Sequence, residues 1–316
     1  MDYGQTFKRL REDKGLKIID LEQSNISRSL IGKFEKGQSR ISADRLDKLP
    51  ADMGVNHDEF LFLGGDANNN YLYSMIHRMG IQAGDPKEFQ RLDIMIQQVT
   101  NDLKNGRGGM SARFMREFGL MIRAGFAGGL SISELYESDQ VQKHVRPAVA
   151  FLKQAETWGH MELDVFMLFY MGMTPADLLI LGRLAIERAR FYTQLRNEKT
   201  RLVDTIYTAF NGLLYVDIVG AAEMLLLEEQ VLDDMDDFLI DWTSERIRLK
   251  MGQGLLKMMQ GNVNTGYEEV MSVVSVYELV GLRERADSIR NNVRVTKDAI
   301  IAGKPNKIPH IYALLI

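Results

Sequence analysis

The chain has 316 residues, 45% of them apolar and 26% charged, with a net charge of -4, and is long enough for two domains with separate cores. It contains no cysteine, which excludes disulfides, thiol catalysis and a cysteine-ligated zinc finger. Residues 1 to 20 are charged throughout and no apolar run approaches the roughly 20 residues of a membrane span, so neither a signal peptide nor a membrane partner is expected, and the expected compartment is the cytoplasm. The charge is divided unevenly. Residues 1 to 50 hold 11 Lys or Arg against 8 Asp or Glu, a surplus of +3, which leaves -7 for the remainder. A nucleic-acid surface is therefore expected at the N-terminus and not in the acidic remainder.

In chain order, Gly4 to Lys14 reads as an amphipathic helix with Phe7 and Leu10 apolar and Lys8, Arg9 and Arg11 basic, closed by Gly15. Ile18 to Gln23 is a short second helix. Ser27 is a good N-cap, since its hydroxyl can accept from a free N–H of the next helix, in which Leu30, Ile31 and Phe34 share an apolar face. Gly37 ends that helix in a left-handed conformation. Arg28, Ser29, Gly32 and Lys33 lie away from the apolar face and are short or cationic, which suits an edge entering a major groove. Ser42 to Leu49 is a fourth helix, expected to stop or bend at Pro50, and His57 to Leu63 is a fifth.

Five short helices in this order, with a turn before the third, resemble the Xre or lambda-repressor type of helix-turn-helix domain. The resemblance implies that Arg11 and Glu35 form a structural ion pair. It also implies that Arg28, Ser29 and Lys33 face bases, with Arg28 able to make a bidentate bond to guanine, while Lys17, Ser27, Lys36, Gln38 and Arg40 meet phosphates. Double-stranded DNA with a two-fold operator is the partner so implied, read by a homodimer.

Gly64 to Asn70 is polar and turn-forming and reads as a linker, giving domains of residues 1–66 and 67–316. Beyond it the periodicity predicts helices over 71–82, 86–104, 111–126, 131–138, 144–158, 161–170, 175–195, 198–216, 218–232, 234–260, 264–280 and 282–301. The fold class is thus all-α: the five-helix domain, then helical hairpins stacked as a right-handed, tetratricopeptide-like solenoid, or alternatively a compact bundle. His57, His77, His144, His160 and His310 show no metal spacing, and neither a phosphate loop nor an HExxH helix is present, so no enzyme, cofactor or metal site is expected.

The segment Gln154-Ala155-Glu156-Thr157-Trp158-Gly159-His160-Met161-Glu162-Leu163, with Asn197 to Thr200 opening a helix and Gly252, Gly261 and Gly266 near the end, resembles the Rgg/MutR/GadR regulators of Gram-positive bacteria. That resemblance spans nearly the whole chain. It implies a homodimeric transcription factor whose repeat domain binds a short peptide pheromone in its concave groove. Some relatives link subunits by a disulfide near the fourth helix; this chain has Ala43 there.

The candidate ligand residues follow from pattern. Asp204, Thr208, Asn211 and Tyr215 recur at spacings of four, three and four, forming a polar stripe on an otherwise apolar helix. Such a stripe either lines a groove or makes internal hydrogen bonds, and Asn211 is the residue expected to bond a peptide backbone. Arg246, Lys250, Gln253 and Lys257 form a cationic stripe that is either a site for a peptide carboxylate or a solvated face, and Arg183 with Arg190 is open to the same two readings. Trp158 is expected in the core. The apolar segment Ile311 to Ile316 is expected to pack on the repeats, on the ligand groove or on a dimer partner. A repeat domain that binds a protein partner or a small metabolite instead of a peptide is the alternative.

Overall fold

The computed structural model describes residues 2–24, 26–63, 88–127, 130, 132–194, 196–235 and 241–303. The chain divides into two compact units, Met1–Arg78 and Met79–Ile316. The linker expected at 64–70, the boundary expected after residue 66, the helix expected over 71–82 and the apolar C-terminal segment lie outside the described residues.

In the first unit, helix α1 spans Tyr3–Asp13, a 3-10 helix Ile18–Ser24, α2 Arg28–Glu35, α3 Ala43–Asp52 and α4 His57–Leu63. Phe7, Leu10, Leu21, Ile26, Ile31, Phe34, Leu49, Met53, Val55 and Phe60 make one core beneath them. Asp2 caps α1 by accepting from the Gln5 N–H at 3.1 Å, and Ser27 caps α2 by accepting from the Leu30 N–H at 3.3 Å. Gly37 leaves α2 at φ +69°, the conformation glycine adopts without a steric penalty.

Two local expectations change here. The second helix is 3-10, with Leu21 off helical geometry. Helix α3 neither stops nor ends at Leu49 but runs through Pro50 to Asp52. Pro50 falls in the last turn, where it removes a single i to i-4 bond, and its own carbonyl accepts from Met53 and Val55 as the chain leaves the helix. Ser42 stands at the N-cap of α3 without a side-chain bond.

The regular secondary structure among the described residues of the second unit is all helical. Its helices are α5 Glu88–Lys104, α6 Gly109–Ala127, α7 Ile132–Glu137, α8 Asp139–Gln154, α9 His160–Phe169, α10 Pro175–Ala189, α11 Arg196–Leu213, α12 Ile218–Asp234, α13 Thr243–Met259, α14 Val263–Leu279 and α15 Arg283–Ile301. Sequential helices pack as hairpins, and alternate helices stack into two layers, with α8, α10 and α12 in one and α9, α11, α13 and α15 in the other. Where α13 meets α14 the backbones touch: a Cβ on Gly254 would lie 2.9 Å from the Gly266 carbonyl oxygen.

Three boundaries differ from the periodicity. Helix α8 covers 139–154 instead of 144–158, because the chain turns extended at Ala155 and drops Trp158 into the core. Trp158 then donates its backbone N–H to the Arg188 carbonyl at 3.0 Å and its indole Nε1–H to the Leu152 carbonyl at 3.2 Å. Arg188 completes the end of α8 by donating to the carbonyls of Lys153 and Ala155 at 2.9 and 2.6 Å, so a side chain far along the chain satisfies the orphan acceptors of this terminus. The helix expected over 175–195 ends at Ala189 and is followed by a 3-10 turn at Tyr192–Gln194. The helix expected over 234–260 begins only at Thr243, after buried Trp242, whose Nε1–H donates to the Met235 carbonyl at 3.3 Å.

Candidate DNA-binding edge and ligand face

In the first unit the ionic arrangement at the core is direct. Arg11 donates from Nε to Glu35 Oε1 at 2.6 Å and from Nη2 to Glu35 Oε2 at 3.0 Å, a bidentate pair with both residues buried. Its Nη1 donates to the Leu16 carbonyl at 2.6 Å, tying the end of α1 to the turn that follows. The hydrogen bond to Glu35 holds the Arg11 guanidinium protonated even more firmly than usual.

On the opposite side of α2, Arg28, Ser29 and Lys33 are exposed and share one edge of the helix. Lys17, Ser27, Lys36, Gln38 and Arg40 are exposed around it. Lys17 opens the 3-10 helix by donating its N–H to Asp20 at 2.7 Å, and the Gln38 N–H closes α2 on the Lys33 carbonyl at 2.8 Å. An exposed edge of short and basic side chains on a helix fixed from behind by its core can enter a major groove.

In the second unit, the candidates of the sequence do not form one site. Asp204, Thr208 and Asn211 are half-exposed in a row on α11, between α9 and α13. Tyr215 continues the row in sequence but is 4% exposed, with its hydroxyl beside Thr296 of α15, so it belongs to the interior. Arg183 and Arg190 line a separate open pocket of about 580 Å³ with Ile186, Leu202 and Val231. Leu202 and Asp204 are two residues apart, about 200° around the helix, which puts that pocket on the other side of α11. Arg183 is also engaged there by Glu223, with two bonds of 2.6 and 2.7 Å.

The cationic stripe is separated in the same way. Arg246 pairs with Asp233 at 3.1 Å, Gln253 donates to Glu229 at 3.4 Å, Lys257 pairs with Glu269, and Lys250 donates to Gln253 at 3.2 Å. These residues knit α13 to its neighbours α12 and α14. The cation that faces Asp204 is Arg248, two residues on from Arg246 and so on the other side of α13.

Arg248 is the centre of a cluster that the sequence pattern did not reveal. Its Nη1 donates to Asp204 at 2.6 Å, its Nη2 lies 3.5 Å from Glu228, and its guanidinium carbon stands 4.5 Å over the ring centroid of Tyr207. Burial pushes the Glu228 carboxyl up to about 8; Arg248 opposes the shift, and the charges of Asp204 and Glu245 add to it. Burial works against the charge of Arg248 as well, but Asp204 and Glu228 outweigh it and keep the guanidinium protonated. One helix away, Asp164 pairs with Arg201, and His160 bridges Asp164 and Glu198 at 3.3 Å each. The only signal in the sequence was the position of Asp204; its partners come from helices 24 and 44 residues away, beyond any helical period.

The fold that carries these residues is one that known regulators share. Residues 7–60 match the helix-turn-helix family model, and residues 129–291, just over half of the chain, match the model of the C-terminal domain of the HTH-type transcriptional regulator Rgg. No curated protein sequence matches the chain significantly. Among solved structures, the SHP pheromone receptor Rgg2 of Streptococcus dysgalactiae aligns with a TM-score of 0.70 at 18% identity, over 92% of this chain and 98% of that one. A protein of Listeria monocytogenes EGD-e gives 0.75 at 15% identity over 96% and 99%, and the PrgX/cCF10 complex gives 0.64 at 13% identity over 98% and 95%. At such identities these structures speak for the fold, an all-helical chain with an N-terminal helix-turn-helix. With the match to the Rgg model covering half of the sequence, the chain belongs to the Rgg family of helix-turn-helix transcriptional regulators.

Proposed function

We propose that this regulator is a homodimer controlled by a short peptide bound on the face of the α9, α11, α13 and α15 layer, with Asn211 bonding the peptide backbone and Asp204 and Thr208 lining its path. The observation that supports this most is the half-exposed polar row on α11, a helix whose other residues from Leu202 to Leu213, apart from Gly212, are buried. A row of donors and acceptors three and four residues apart can follow an extended peptide main chain. The solved relatives described as a pheromone receptor and as a pheromone complex lend weight to a peptide over other ligands.

On DNA, Arg28, Ser29 and Lys33 read bases while Lys17, Ser27, Lys36, Gln38 and Arg40 hold phosphates, and dimerisation sets two half-sites about one helical turn, or a multiple of it, apart. The peptide acts by binding one arrangement of the dimer more tightly than the other. Native mass spectrometry of the protein purified from its own host tests both points at once. A dimer carrying a mass that fragments as a short peptide is expected; a monomer, or a dimer carrying a metabolite, would overturn the reading. The metabolite is a second reading with an observation behind it, the open pocket of about 580 Å³ that Arg183 and Arg190 line.

A further inference from the structure

The layer that carries the polar row holds more carboxylate than it neutralises. Asp204 and Glu228 flank one guanidinium, that of Arg248, with Glu245 close enough for its charge to act on Glu228, and with Glu228 protonated the group still carries a net charge of -1.

A second observation concerns hydrogen bonding, not charge. Glu228 has no solvent exposure; its Oε1 meets Arg248 Nη2 only at the long distance of 3.5 Å and its Oε2 has no partner, and Glu245 Oε2 is buried without one as well. The Tyr207 hydroxyl, on a side chain 4% exposed and close enough to Glu228 and Arg248 to feel both charges, is unpartnered as well. Buried polar groups in folded proteins are nearly always matched, so several unmatched in one place mark a site still missing a partner. Arg248 also keeps Nε and Nη2 unmatched, but an incoming anion would add a fourth carboxylate around a single cation. A cation brings only donors and corrects both deficits.

We propose that this cluster is the specificity site for a basic group of the ligand, the ammonium of a lysine or N-terminus or the guanidinium of an arginine, admitted past the 37%-exposed carboxylate of Asp204 and held by Glu245 with Tyr207 behind. The inference rests on the peptide-receptor reading and deepens it: the ligand is a peptide with a positive charge at one fixed position. Asp204 then changes partner from Arg248 to the ligand, and Glu228 is the carboxyl left to accompany Arg248.

The test uses the full-length protein, immobilised and exposed to a random heptapeptide pool, with the retained peptides sequenced by mass spectrometry. Lys or Arg enriched at one position is expected, and replacing that lysine by norleucine, which has the same length without the charge, is expected to weaken binding at least about tenfold. In the Asp204→Asn, Glu245→Gln double variant the preference for lysine over norleucine should fall close to one. Glu245→Gln alone serves if the double variant melts early. Retention of no peptide would reject the receptor reading and this inference with it. Retention of peptides without basic enrichment, or an enrichment that the amide variants leave intact, would overturn the inference and leave the receptor reading standing.

Discussion

Two buried carboxylates in this chain sit in different surroundings. Glu35 meets Arg11 through both oxygens at the centre of the first unit, whereas Glu228 lies in the second unit with its guanidinium at 3.5 Å and two further carboxylates nearby. Removing one member of the first pair strands a buried charge, so Arg11→Ala or Glu35→Ala should destabilise the first unit by about 3–5 kcal/mol, read as an earlier transition in urea. For Glu228 the folded value of about 8 lies above the ordinary carboxyl value. Between the two, the folded state binds the extra proton, so its contribution to stability is fully present below about 4.5 and is lost as pH rises towards 8. Thermal melts of the wild type should therefore decline from pH 5 to 8 more steeply than those of Glu228→Gln, which cannot ionise. Parallel curves would mean that Glu228 is already ionised in the folded chain.

At the scale of elements, what the sequence shows and what it hides divide by range. The caps and exits of α1 and α2 depend on residues within a turn of the helix end, and Ser27, Gly15 and Gly37 carry them plainly. The end of α8 depends on a distant partner. Trp158 and Arg188 finish α8, and a periodicity that counts apolar residues takes Trp158 as the next helical turn instead of as the residue that leaves it. Pro50 misleads in the other direction, since a proline in a last turn costs far less than one at mid-helix. Opposite faces of α11 and α13 are distinguishable in the sequence, but which neighbour each face meets is not, so the sequence reading names Arg246 and Lys250 and passes over Arg248. Substitutions should follow the observed contacts. Arg188→Ala leaves carbonyls at the end of α8 without donors and should cost about 1–3 kcal/mol, measured as a lower midpoint for the second unit. Gly4→Ala should destabilise the first unit by a similar amount, because the added methyl would collide with the backbone carbonyl of Phe34 where α1 crosses the end of α2.

For the whole molecule, the DNA-bound assembly separates the proposed base contacts from the phosphate contacts. Arg28→Ala should cost about 1–3 kcal/mol and relax preference at one base pair per half-site, while Lys36→Ala should weaken all sequences alike and lower the salt slope by about 1. Binding isotherms on matched and mutated operators at several salt concentrations measure both; identical behaviour of the two variants would show that Arg28 does not read a base. The backbone contact of Gly254 with Gly266 bears on how such an assembly is switched. Where Gly254 meets Gly266 the two helices touch backbone to backbone, with Val270 and Met258 packed at the edges of the contact, so a displacement of α13 has to carry α14 with it. A ligand that displaces Arg248 or Glu245, as proposed, would then be felt at the far end of α14, where Leu279, Val280 and Leu282 stand exposed at the turn into α15.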